Sequence, residues 1–350
     1  MNAFNAFYRT NRGQFQRVNG ALITLLPKKP DPIAPSDYRP ISLIHSFAKL
    51  GAKLLSNRLA PELEHLVDVN QSAFIKKRSI HDNFKFVEQA AKTLHRKNKA
   101  SLLLKLDISK AFDTVEWPFL LQVLQGLGFT TRWRDWIALL VSTASTKVLL
   151  NGEPGRLIRN ARGLRQGDPL SPMLFILLME MLQRLFKQAT VHGVLAPPAS
   201  MAIHHQCSLY ADDVVLFIAP DAQDLVTTTG ILDLFGDCSG LRTNLAKCSI
   251  APIACSEEQL QKVRDMFPVQ IVEFPIQYLG LPLTVGRLRK AHLQPLIDKV
   301  SASMPTWRAP LMNRAGRLTT VKAVMSAKCI HTIISLKVPD WVKRTGGNAS

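Results

Sequence analysis

Cysteine is scarce in this chain and follows no ligand spacing. The 350 residues include five: Cys207, Cys238, Cys248, Cys255 and Cys329. Their number is odd, no C-x-x-C pair occurs, and His204, His205 and Cys207 have no second ligand pair nearby. A disulfide scaffold and a structural zinc site are disfavoured; a reducing intracellular compartment is expected, with nucleus or cytoplasm left open. Long apolar runs are missing as well. Met173–Met179 is stopped by Glu180, far short of the roughly 18 residues a membrane span needs, so no membrane is expected among the partners. The opening residues, Met1-Asn-Ala-Phe-Asn-Ala-Phe-Tyr, lack the basic and apolar regions of a secretory signal.

Negative charge is also thin. Net charge is +18, and its placement is uneven. Ile75–Lys99 has eight Lys/Arg against Asp82 and Glu88, and Gly286–Ser350 has twelve against Asp298 and Asp340. Solvated helix faces usually mix signs. Two basic regions flanking a near-neutral middle suit walls around a polyanion. Membrane-surface binding would call for an amphipathic Trp/Phe-faced anchor, and none is visible.

What is present is 47% hydrophobic and patterned. Helices are predicted over Phe47–Leu63 (apolar positions Phe47, Leu50, Leu54 and Leu55), Ile80–Leu94, Pro118–Leu127, Trp133–Ser142 and Asp221–Phe235, and from Leu288 onward with Pro295 starting or kinking one. Leu170–Phe186 is apolar nearly all round and must be buried, with Asp168 as cap and Pro169 at the first position. Asn70–Lys77 reads as a basic loop. Ser101–Ile108 reads as a buried strand, and Asn151-Gly152 as a tight hairpin turn. Further strands or turns fall at Lys247–Pro252 and Tyr278–Leu283. Hairpins mixed with buried helices indicate α+β.

The chemistry concentrates in Leu209–Ile218, where Asp212 and Asp213 interrupt an apolar, β-branched run. Burying adjacent carboxylates is costly without a cation or a turn. A strand–turn–strand hairpin with the pair at its tip resolves the conflict. Alone, the dipeptide fits an ordinary turn as well as a metal site. Asp107 ends another buried strand about a hundred residues upstream. Three carboxylates at neighbouring strand ends can hold two Mg²⁺ ions roughly 4 Å apart, and their hard oxygens suit that ion. One ion would acidify an attacking hydroxyl and the other would stabilise a leaving pyrophosphate.

The order Asp107-x-x-x-Ala-Phe-Asp, Gly163-Leu-Arg-Gln-Gly-Asp-Pro-Leu-Ser-Pro, Tyr210-Ala-Asp-Asp resembles a reverse transcriptase, in wording similar to LINE-type (non-LTR) retrotransposons, plant ones especially. Supporting blocks are Tyr38-Arg-Pro-Ile-Ser-Leu, Gln71-Ser-Ala-Phe-Ile, Gly240–Lys247 and Tyr278-Leu-Gly-Leu-Pro-Leu, so the resemblance covers about residues 20–340. It implies a right-hand polymerase with fingers, a ferredoxin-like palm carrying an antiparallel sheet, and a helical thumb. It places an extension of the fingers at 1–37, fingers and palm at 38–285, and a basic, shortened thumb at 286–350. It also implies an RNA template, a DNA primer, dNTPs, and two Mg²⁺ ions with Mn²⁺ as a substitute.

The resemblance carries roles residue by residue. Asp107, Asp212 and Asp213 match the metal-binding carboxylates, Asp107 and Asp212 first among them. Phe112 matches the steric gate that excludes a 2′-hydroxyl; its alternative is a core aromatic. Gln166 and Gly167 match the loop at the nucleotide sugar. Arg39 and Arg78 lie in blocks whose basic residues bind triphosphate, with solvated loop residues as the alternative. Lys247 falls where a general acid for pyrophosphate is placed, and a surface lysine is the alternative. Asp113 is expected to position its neighbours, and Tyr278–Leu283 to resemble the primer grip. Lys77 stands where such elements often have glycine. The endonuclease, zinc knuckle and ribonuclease H segments usual in such elements are not evident, and family likeness ends near Trp341. A fragment of a longer reading frame is expected. The alternatives are a remnant that only binds nucleic acid, a group II intron-type or telomerase-type enzyme, and an RNA-dependent RNA polymerase, which Phe112 argues against.

Overall fold

The computed structural model describes residues 12–197, 205–302 and 311–336; Met304, Trp341 and the C-terminal stretch lie outside them. One sheet combines β1 (Gly20–Pro27), β2 (Tyr38–Ile44), β4 (Ser145–Leu150), β5 (Glu153–Pro154) and β6 (Ile158–Arg159). β1 lies between β2 and β4, antiparallel to the first and parallel to the second. Asn151 and Gly152 both take positive φ, 51° and 87°, as the type I′ turn requires.

A second sheet has the order β10-β9-β3-β8-β7, from β3 (Ser101–Leu106), β7 (Cys207–Tyr210), β8 (Asp213–Ile218), β9 (Ser249–Ile253) and β10 (Gln270–Ile271). β3 is antiparallel to β8 and β9 on either side. Between its first residue, Ser101, and Leu106 it is apolar except for Lys105, because both faces are covered. Leu102, Leu104 and Leu106 join the core built by the helices Ser171–Val191 and Ala222–Ser239. Leu103, with Val215 and Phe217, packs under the helix Ile80–Arg96 and the small hairpin β11 (Ile276–Tyr278)–β12 (Leu281–Leu283).

The helix Ser171–Val191 is buried over most of its length, as its all-round apolarity demands. Its start differs from expectation. Pro172, not Pro169, occupies the first turn, while Asp168 Oδ1 accepts the Leu170 N–H at 2.8 Å. The helix Ser46–Leu59 differs in its buried face. Ala48, Ala52, Leu55 and Leu59 face inward, and Leu50 and Leu54 are exposed. Small residues at i, i+4 spacing let the helix approach closely, which a count of large apolar residues overlooks. Pro295 sits inside the helix Lys290–Ser301. In the last helical stretch Leu318, Val321 and Val324 are exposed. Among the described residues no helix is long and apolar enough to cross a membrane.

Candidate active site

Tyr210 closes β7 and Asp213 opens β8, so the hairpin loop is Ala211-Asp212. Ala211 has φ 55°, the positive first position of a type II′ turn. Asp212 is thereby exposed at the tip and Asp213 half-buried behind it. On the neighbouring strand, Leu106 pairs with Val214. Continuing that register by one residue sets Asp107 opposite Asp213.

The hairpin's outer edge is braced. Leu209 N–H donates to Asn70 O at 2.9 Å, and Ser72 N–H to Leu209 O at 3.2 Å. Gln71 Oε1 accepts the Ala211 N–H at 3.1 Å, which pins the turn carrying Asp212. Asn83 Nδ2 donates to Leu209 O at 2.8 Å, and its Oδ1 accepts the buried Tyr278 hydroxyl. Segment 70–73 is therefore buried against the hairpin, a correction to its reading as a basic loop.

Asp107 is fixed through its backbone. Its carbonyl accepts Asn244 N–H at 2.7 Å, and Ser109 N–H donates to Arg242 O at 2.9 Å. Gly240, at φ 78°, makes this possible: a Cβ there would stand 2.1 Å from Thr114 O. Loop 163–167 is stitched to the same segment. Gly163 N–H donates to Val115 O at 2.8 Å and Trp117 Nε1 to Gly163 O at 2.8 Å. Gln166 Nε2 donates to Asp113 Oδ1 at 3.2 Å, and Gln166 O accepts Ser42 N–H at 2.8 Å. Gly167 (φ 99°) passes so close to β2 that a Cβ would lie 3.1 Å from Ser42 O.

These elements enclose a cleft of about 950 Å³ whose lining includes Arg39, Asp107, Phe112, Gln166, Gly167, Asp212 and Lys247. Seven of the nine residues expected at the site thus meet in one place. Asp213 is not in the lining; it stands behind Asp212, opposite Asp107. Arg78 is elsewhere. Its guanidinium donates to Gln71 O at 2.8 Å and Val67 O at 3.0 Å, and also to Asp68 O. It organises the loop that braces the hairpin, and its donors are not presented to the cleft. Phe112 is half-buried, stacked on Phe175 with centroids 4.6 Å apart, and also borders the cleft. Both of its expected roles are compatible with that position. Lys28, Lys110 and Arg162 line the cleft too. Sequence reasoning missed them: Lys110 is legible only as a spacer within the Asp107-x-x-x-Ala-Phe-Asp motif, and Lys28 and Arg162 lie outside every motif.

Burial first, then the charges of Asp212 and Asp107, hold the Asp213 carboxyl above the usual carboxylate range, against the opposing charge of Lys105. Desolvation likewise raises Asp113, offset in part by its Gln166 hydrogen bond. Mutually repelling carboxylates with hard oxygen donors suit a divalent cation. As they stand, no three His, Cys, Asp or Glu side chains among the described residues converge closely enough to hold one.

A carboxylate-tipped antiparallel sheet, backed by helices and faced across a cleft by a second sheet, is the core of a right-hand polymerase. Residues 26–283 match the family model for reverse transcriptase (RNA-dependent DNA polymerase), and the chain belongs to that family. It is 31% identical over 324 residues to the transposon TX1 uncharacterized 149 kDa protein of Xenopus laevis, covering 90% of this chain and 24% of that protein. It is 30% identical over 258 residues to the Pol polyprotein of the type-1 retrotransposable element R2 of Nasonia vitripennis, covering 73% and 24%. The chain thus spans about a quarter of these relatives' length. Among solved structures, telomerase from Candida tropicalis, in complex with the TWJ fragment of telomeric RNA, superposes with a TM-score of 0.53. That match has 12% identity and covers 95% of this chain and 56% of that one, a likeness of fold.

Proposed function

We propose that this chain is the RNA-directed DNA polymerase of a non-LTR retroelement, joining dNTPs to a primer 3′-hydroxyl on an RNA template. The observation that carries this reading is the cleft that gathers Asp107 and Asp212 with Phe112, Gln166, Gly167 and Arg39. Asp107, Asp212 and Asp213 would hold Mg²⁺, for which Mn²⁺ could substitute; the ions would supply Lewis-acid stabilisation of the developing charges. The chain's own residues do the rest. Arg39, with Lys28 and Lys110, presents cations to the triphosphate, Arg39 as a planar fork matched to phosphate oxygens. Gln166, held by Asp113, and the bare backbone of Gly167 shape the floor for the incoming sugar. Phe112, backed by Phe175, is the wall against a 2′-hydroxyl. Lys247 sits on the cleft rim, where it could hand a proton to pyrophosphate. On this reading fingers and palm are assigned to 38–285, with β1 from the preceding segment joining the fingers sheet, and the thumb to 286–350.

Primer extension with an RNA template, a DNA primer, dNTPs and Mg²⁺ tests the proposal. Extension by the unmodified chain that disappears in Asp212→Asn supports it. Primer–template binding without extension would instead mark a nucleic-acid-binding remnant.

A further inference from the structure

Lys105 is the one charged residue within β3, whose other members are buried. A lysine in such a strand is costly unless its ammonium reaches solvent or a partner. By strand alternation it shares a sheet face with Asp107, and its register places it between Val215 on β8 and Ser249 on β9. The side chain emerges at the edge of the β11–β12 hairpin, where Nζ donates to Gln277 O at 3.0 Å in an exposed contact. Its charge also acts on Asp213. The ammonium therefore stands where the carboxylate hairpin and the β11–β12 hairpin meet, with donors to spare beyond one carbonyl.

We infer that Lys105 anchors the primer strand by binding a backbone phosphate close to its 3′ end, trading or sharing its contact with the Gln277 carbonyl as the duplex docks. The inference rests on the polymerase reading above, because it takes the substrate to be a primer whose terminus meets Asp107 and Asp212. A phosphate suits the position. It adds the second acceptor that Nζ lacks, and it holds the strand against the hairpin backbone while leaving the nucleotide side of the cleft to Arg39, Lys28 and Lys110. Lys105 is on this account a primer-binding residue, with no part in nucleotide binding.

The test is binding of an RNA–DNA primer–template to the unmodified chain, Lys105→Met and Lys105→Arg across a salt series, followed by extension kinetics. Neutralising one phosphate contact lowers the slope of log K against log salt by about one. Lys105→Met is expected to show that loss, about tenfold weaker binding, and a raised KM for primer–template with KM for dNTP unchanged. Lys105→Arg should restore the slope. An unchanged salt slope, or a loss confined to KM for dNTP, would overturn the inference, since a lysine that merely tethers β11 leaves the slope alone. If the unmodified chain binds duplex but never extends it, the polymerase reading fails. The salt slope still decides whether Lys105 touches phosphate.

Discussion

Asp107 stands opposite Asp213 across the β3–β8 pair, one register step beyond Leu106 and Val214. Two carboxylates brought together at the end of a buried sheet repel each other, and Lys105 is the cation whose charge opposes that repulsion at Asp213. A divalent cation bound between them would relieve that repulsion. Asp107→Asn keeps the shape and removes the charge. Extension should fall at least about a thousandfold, because a metal's stabilisation is worth several kcal/mol, while anisotropy still reports duplex binding. Retained extension would remove Asp107 from the site.

The same repulsion has a pH signature. A carboxyl whose folded pKa is raised binds its proton more tightly in the folded state than in the unfolded one. Its favourable contribution is present at low pH and is lost as pH rises from the ordinary 3.8 through the raised folded value. In chelator at neutral pH, Asp213→Asn should therefore melt higher than the unmodified chain, and the gap should close on acidification toward the ordinary carboxylate range. Saturating Mg²⁺ should reverse the order at neutral pH. Melting curves of both proteins against pH check this; a variant less stable without metal at neutral pH contradicts it.

Phe112 divides its surface between Phe175 and the cleft. Phe112→Ala should narrow the preference for dNTP over rNTP by roughly 10- to 100-fold, the scale of a steric wall in a pocket, and cost about 2 kcal/mol of stability from the lost stacking and packing. The ratio of kcat/KM for the two sugars is the measurement. Lost stability with unchanged discrimination would make Phe112 a core residue only.

How far the sequence could be read depends on the range of the interaction. The Asp212–Asp213 hairpin, the β3 strand, the Asn151-Gly152 turn and the buried helix Ser171–Val191 are local, and periodicity or turn chemistry marks each. The bracing of Leu209 by Asn70 and Ser72 joins segments about 140 residues apart, and polar residues on a sheet edge have no period to detect. Arg78 shows the same limit: a guanidinium suits phosphate and backbone carbonyls equally well, and only the fold chooses between them. Lys105 went unremarked because one lysine in an apolar run reads as noise until its neighbours are known.

Lys77, where related elements often have glycine, takes φ 68°, in the region that costs a residue bearing Cβ about 1 kcal/mol or more. Lys77→Gly should stabilise the fold by a few tenths up to about 1 kcal/mol, the strain relieved less the added freedom of the unfolded chain. Lys77→Ala removes the same charge but keeps Cβ, so it should gain nothing. Denaturant midpoints of the three proteins separate backbone strain from charge, and equal gains from Gly and Ala would point to charge.

Gly240 allows the sharpest separation of local from tertiary effects. Gly128 and Gly240 have nearly the same φ, 83° and 78°, but a Cβ at Gly128 meets nothing within 4 Å, whereas one at Gly240 would lie 2.1 Å from Thr114 O. Gly128→Ala should cost only the left-handed penalty, about 1 kcal/mol. Gly240→Ala adds a clash that backbone must relieve by moving, for a total of about 2–4 kcal/mol. The moving backbone includes the bonds from Asn244 to the Asp107 carbonyl and from Ser109 to Arg242. Gly240→Ala should therefore also lower kcat for extension at temperatures where it remains folded, and Gly128→Ala should not. If the two variants lose equal stability and equal activity, loop 240–244 does not hold Asp107 in place.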